Sequence, residues 1–104
     1  MIRRAIREGR KEPFGPWTLY SLRDPGQQNR WAVTCRRGSG TAVERHRRER
    51  QAREVLREAS PCWRGDEGFL VVVQWGGSPV STGIREGLKE LRQAVERLDD
   101  SRLP

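Results

Sequence analysis

Between Arg36 and Arg57 the chain carries eight arginines and three glutamates, a local excess of five in a protein whose formal net charge is +7. Within that segment His46, Arg50, Arg53 and Arg57 follow one another at i, i+4, i+7 and i+11. At about 100° per residue these four fall on one narrow stripe of a helix. Ala52, Val55, Leu56 and Ala59 gather on a separate arc, so one helix would own both a core face and a cationic ridge. Guanidinium groups in a row suit one kind of chemistry, planar and bidentate hydrogen bonding to oxyanions. A nucleic-acid backbone is the commonest polyanion that could lie along such a ridge. A simpler account is a solvated face laced with Glu44–Arg48, Glu49–Arg53 and Glu54–Arg57 pairs. It leaves unexplained why Arg50, Arg53 and Arg57 should align, because like charges in register repel unless an anion lies across them.

Other chemistry finds little support. His46 is the one histidine, and Cys35 and Cys62 stand apart with no CxxC or Cys/His ligand spacing. The sequence therefore offers no zinc site, and two reduced thiols are the expected state. No acid/base constellation is visible, so the chain would make a poor hydrolase by itself. The loop Gly76–Gly83 is rich in glycine and serine but lacks the Gly-Lys-Ser/Thr ending of a phosphate-binding loop; a loop entering a helix explains it better.

These residues must be positioned by a small scaffold. The chain has 104 residues, 34% of them hydrophobic, and a mean hydropathy of −0.89. That is one domain with one modest core. The longest apolar run is Phe69–Val73, far short of a membrane span, and Met1–Arg10 lacks the apolar stretch of a signal peptide. A cytoplasmic protein is expected, with no membrane association, and nothing in the sequence points to a protein partner. The cations are 19 Arg and two Lys (Lys11 and Lys89), a bias that a GC-rich genome alone can produce.

Residues 2–10 read as a short helix, with Ile2, Ala5 and Ile6 on one side and Gly9 as a stop. Residues 11–16 read as a linker, because two prolines argue against a regular element. Residues 17–23 form a strand with Trp17 and Leu19 on one face and Tyr20 and Leu22 on the other. Asp24-Pro25-Gly26 is a turn, and residues 30–36 a returning strand, giving a hairpin with a longish loop. A helix follows over 41–59, ended by Ser60-Pro61. Residues 68–75 are apolar enough to be a strand buried on both faces. A last helix over 82–98 places Ile84, Leu88, Leu91, Val95 and Leu98 on one stripe. The expected order is α-β-β-α-β-α, an α/β (α+β) two-layer sandwich.

The segment Gly40-Thr-Ala-Val-Glu-Arg-His-Arg-Arg-Glu-Arg-Gln-Ala-Arg-Glu-Val-Leu-Arg57 resembles the signature of the bacterial ribonuclease P protein subunit. That signature is Gly-x-Ala-Val-x-Arg-Asn-Arg, then basic residues, then Arg-x-x-Arg-Glu. Gly40, Ala42, Val43, Arg45, Arg47, Arg50, Arg53 and Glu54 match in register. Ile6–Arg10 is similar to the end of the family's first helix, Trp17–Tyr20 to its first long strand and Arg30–Arg37 to its second strand. Gly68–Gln74 and the last helix are similar to its final strand and helix.

The resemblance implies a fold shared with a ribosomal protein S5 domain (domain 2). Its parallel strand-helix-strand unit crosses over with left-handed sense, a rare topology. It also implies the partners, a catalytic ribonuclease P RNA and precursor tRNA, and the reaction, removal of 5′ leaders from precursor tRNA. In that scheme the catalytic centre and its Mg²⁺ reside on the RNA. Arg45, Arg47, Arg50 and Arg53 would contact the RNA; Arg36 and Arg37 would extend that surface, with His46 and Arg57 on the same ridge. Ile2, Ile6, Trp17 and Tyr20 fall where the family has its leader-binding cleft, and Tyr20 suits a stacking platform better than Trp17, which points the other way. His46 stands in place of the family's Asn, and Glu49 in place of a basic residue. Two other classes compete: a non-enzymatic RNA-binding module, ribosomal or regulatory, on the same fold, and a DNA-binding accessory protein. The latter is disfavoured because no helix-turn-helix pair precedes the basic helix.

Overall fold

A computed structural model describes residues 2–63, 68–78 and 81–98 of the chain. Three helices pack on the two faces of one four-stranded sheet. The elements are α1 (Ile2–Glu8), β1 (Arg10–Phe14), β2 (Trp17–Arg23), β3 (Arg30–Cys35), α2 (Ala42–Ala59), β4 (Phe69–Trp75) and α3 (Ile84–Glu96). A short 3₁₀ turn, Ser60–Cys62, follows α2 where Pro61 stops the helix.

The α+β architecture holds, with one strand more than the sequence suggests, and the expected two layers become three because α1 covers the face of the sheet opposite α2 and α3. The segment read as a linker is β1, paired antiparallel to β2 with Phe14 opposite Trp17 across the Gly15-Pro16 turn. Pro13 is tolerated because β1 is an edge. Counting outward from the two-residue turn, Pro13 occupies a position whose N–H would face solvent, so the missing donor costs no ladder bond.

The sheet order is β1-β2-β4-β3, with β3 parallel to β4 and the other neighbours antiparallel. The expected β2–β3 hairpin does not form, because β4 lies between those strands. Its sequence decides this: Phe69–Val73 and Trp75 are all buried, and only a central strand covers both faces of such a run. The loop after β2 reaches around the start of β4. The Asp24 amide donates to the Gly68 carbonyl at 2.7 Å and the Phe69 amide to Asn29 Oδ1 at 2.8 Å. Gly68 has φ +79°, and a Cβ there would collide with the Asp24 carbonyl, so this passage needs glycine.

Alternation along the strands builds two cores. On one face Trp17, Leu19, Phe69, Val71, Val73 and Trp75 meet α2 and α3, whose buried residues include Ala52, Leu56, Leu91 and Val95. The buried arc of α2 is the one read from spacing: Ala52, Val55, Leu56 and Ala59. Trp17 and Trp75 lie 4.8 Å apart between ring centroids, and their side chains are fully buried. The Trp17 indole donates to the Ile84 carbonyl at 3.1 Å and the Trp63 indole to the Val95 carbonyl at 2.9 Å, so both rings keep a polar partner in the core. Gly87 lets α3 approach the Phe14 carbonyl, where any Cβ would clash. The other face is smaller. Ala5 packs on Tyr20, Leu70 and Val72, with Ile2, Ile6, Leu22 and Ala32 half-buried around them. A seven-residue helix such as α1 is held by this packing rather than by its own propensity.

Candidate nucleic-acid interface

Thr41 caps α2, its hydroxyl accepting from the Glu44 amide at 3.2 Å, and burial of Ala52, Val55, Leu56 and Ala59 turns the core arc of the helix inward. The opposite side is thereby presented to solvent. His46, Arg47, Arg50, Arg53 and Arg57 are all exposed, and Arg45 is half-buried. The acidic residues of the helix divide the arginines into two groups. Arg48 points down onto the fold: Glu44 holds it at 2.8 Å, Gln51 accepts from it at 2.9 Å, and its guanidinium sits 5.2 Å over the Trp75 ring. Arg53 pairs with Glu49 at 3.0 Å. The expected Glu54–Arg57 pair is absent among the described residues. There, none of Arg36, Arg37, Arg45, Arg47, Arg50 or Arg57 has a carboxylate within ion-pair distance. The ridge is therefore partly self-neutralised at Arg53 and open elsewhere.

Cys35, near the C-terminal end of β3, approaches the foot of the ridge. Its thiol donates to Glu49 Oε1 at 3.4 Å. Burial, and then the hydrogen bond to that carboxylate, push the thiol up to about 11. The thiol is thus held in its protonated form as a donor to Glu49. The Cys62 side chain and the Pro79-Val80 part of the Gly76–Gly83 loop lie outside the described residues.

Two polar depressions lie at the end of the sheet where β3 and β4 finish. One, of about 430 Å³, is lined by Arg36, Arg37, Ser39, Gly76, Ser78 and Ser81. The other, of about 370 Å³, opens on the α1 face and is lined by Lys11, Thr18, Tyr20, Arg36 and Gln74. Arg36 borders both. A larger hollow between β1 and α3 is lined by Glu12 and Glu90 as well as Arg10 and Arg97, a mixed charge that does not suit a polyanion.

The residues expected at a leader cleft separate. Ile2, Ile6 and Tyr20 meet on the α1 face. Trp17 does not join them: it is fully buried on the opposite face, and its assignment to a cleft is corrected to a core role. Tyr20 needs a smaller correction. At 5% exposure its ring face is covered, so it offers the depression its hydroxyl edge, 3.5 Å from Gln74 Oε1, rather than a stacking platform. Lys11, Thr18 and Gln74 complete that surface. Gln74 was readable in principle, since it shares strand parity with Val72 and Leu70. Lys11 lies on β1, a strand that Pro13 and Pro16 mask in the sequence.

A sheet covered on one face by two helices and on the other by a short one, with an arginine ridge on the middle helix, defines a class of small basic α+β proteins built around an open cationic surface. The family model described as Ribonuclease P matches residues 1–99, and the chain belongs to that family. Among solved structures the fold is similar to the RNase P protein from Thermotoga maritima, with a TM-score of 0.67 and 17% identity over 93% of this chain and 90% of that one. No curated protein matches the sequence. Family membership implies association with ribonuclease P RNA and participation in tRNA processing by an endoribonuclease.

Proposed function

We propose that this chain is the protein subunit of a ribonuclease P ribonucleoprotein. In this reading α2 and the adjoining Arg36-Arg37 loop hold the backbone of the catalytic RNA, and the α1 face of the sheet receives the 5′ leader of precursor tRNA. The observation that carries it is the row of exposed arginines without carboxylate partners, Arg47, Arg50 and Arg57, joined to Arg36 and Arg37 at the end of the sheet. Phosphate contacts of this kind supply affinity and register rather than chemistry.

The described residues bring together no group of three histidine, cysteine or acidic side chains able to hold a metal ion. Mg²⁺ in this reading is bound by the RNA, and bond cleavage takes place there. The protein's part is to neutralise phosphates and to position leader-bearing substrate beside the RNA. Among the described residues no helix is long and apolar enough to cross a membrane, and the cytoplasm is the compartment in which this role is proposed.

The test is reconstitution. The purified chain should raise cleavage of leader-bearing precursor tRNA by the ribonuclease P RNA of the same genome at limiting Mg²⁺. Tight binding to ribosomal or messenger RNA, with no effect on precursor tRNA, would instead identify a non-enzymatic RNA-binding module. Preference for duplex DNA over structured RNA would identify a DNA-binding accessory protein.

A further inference from the structure

Val43 sits in the first turn of α2 with 72% of its surface exposed, the one large hydrophobic so exposed among the described residues. It belongs to neither hydrophobic cluster. A lone exposed valine is unremarkable on an ordinary surface, but the position of this one is specific. On the helical wheel it falls between Arg50 and Arg47, inside the ridge, with His46 three residues on. A β-branched residue is a weak helix former, so neither the fold nor the helix gains from valine there. In the proposed function the arginines around it grip phosphates, a contact that is blind to sequence and sensitive to salt.

Resting on the reading of α2 as an RNA-gripping helix, we infer that Val43 packs against an unstacked nucleobase of the bound RNA, supplying a salt-independent contact at the N-terminal end of the ridge. Structured RNA exposes base faces in loops and bulges, and these are the surfaces that proteins read with apolar and aromatic side chains. Phosphates held by Arg47 and Arg50 on either side would bring such a base down onto the valine methyl groups, with the His46 imidazole beside it.

The experiment compares Val43→Ala and Arg50→Ala for binding to the ribonuclease P RNA transcript of the same genome over a series of salt concentrations. Alanine is the better helix former, so Val43→Ala leaves α2 intact, and circular dichroism checks this. The expected result is a loss of roughly three- to fifteenfold for Val43→Ala at every salt concentration, from the apolar area removed, with the salt dependence unchanged. Arg50→Ala should instead flatten that dependence by about one unit of slope. Parental affinity for Val43→Ala beside a weakened Arg50→Ala overturns the inference and leaves the ridge standing. So does a Val43→Ala slope that flattens as well, because the valine would then act by placing Arg47. Unchanged binding by both variants overturns the ridge reading and this inference with it. Loss of self-association in sedimentation, with RNA binding intact, would make the occupant a second copy of the chain and also overturns it.

Discussion

Arg53 lies 3.0 Å from Glu49, one turn back on α2, so the middle cation of the ridge reaches any polyanion already partnered. The same carboxylate takes the Cys35 thiol on its other oxygen and is thereby tied to β3. An exposed ion pair of this kind contributes about 1 kcal/mol at most. In the proposed complex a phosphate would displace Glu49, and Glu49 would weaken RNA binding by the energy of the pair it gives up.

Replacing Glu49 by Gln should tighten binding to ribonuclease P RNA by roughly two- to fivefold and steepen its salt dependence by up to about one unit. Glu58→Gln, on the same helix and paired with Arg92, is the control and should change binding far less. Salt-titrated filter binding or fluorescence anisotropy reads both effects.

Arginines without carboxylate partners should matter more than the paired one. Arg50→Ala and Arg57→Ala are each expected to lower the slope of log affinity against log salt by about one. Arg53→Ala should lower it by less, because its counter-charge is already within the protein. Equal slopes for all three would show that the Glu49 pair does not persist in solution.

The Cys35 thiol provides a pH signature. Its folded value is raised from 9.0 to about 11, so the folded state favours the protonated thiol. This contribution to stability is fully present below about pH 9.0 and is lost as pH rises from there through about 11. Alkylation of native protein at Cys35, followed by mass spectrometry, should remain slow at pH 8.5 and accelerate only as pH approaches 11. In Glu49→Gln, which loses the carboxylate but not the burial, the acceleration should begin at lower pH.

The two aromatic residues of β2 should separate cleanly. Trp17→Ala opens the larger core beneath α3 and should cost about 3–5 kcal/mol in denaturant unfolding. Tyr20→Phe removes only a hydroxyl whose contact with Gln74 is long at 3.5 Å. It should cost less than about 1 kcal/mol while narrowing the difference in cleavage between leader-bearing and leaderless substrates.

Much of this arrangement was legible from residue types. The spacing of α2 separated its core arc from its ridge, because a 3.6-residue period carries both at once. The apolar run of β4 announced a central strand. What spacing cannot report is which strands become neighbours. Residues 17–23 and 30–36 looked like a hairpin because they are adjacent in sequence, and the more apolar β4 took the place between them. Pro13 hid β1, since proline argues against a strand only where the ladder needs its N–H. Tyr20 falls on the face its strand parity indicates, but how far its ring is covered depends on tertiary packing that no local pattern encodes.

The position of β4 sets the order of events during synthesis. It is central in the sheet yet comes late in the chain, so β2 and β3 lack their shared neighbour until residue 75 has left the ribosome. Only the β1–β2 ribbon can close early, and a two-stranded ribbon by itself is marginal in water. The arginine helix is translated well before the floor it rests on exists. The helix that carries the arginines therefore cannot reach its final seat on the sheet until β4 has been made.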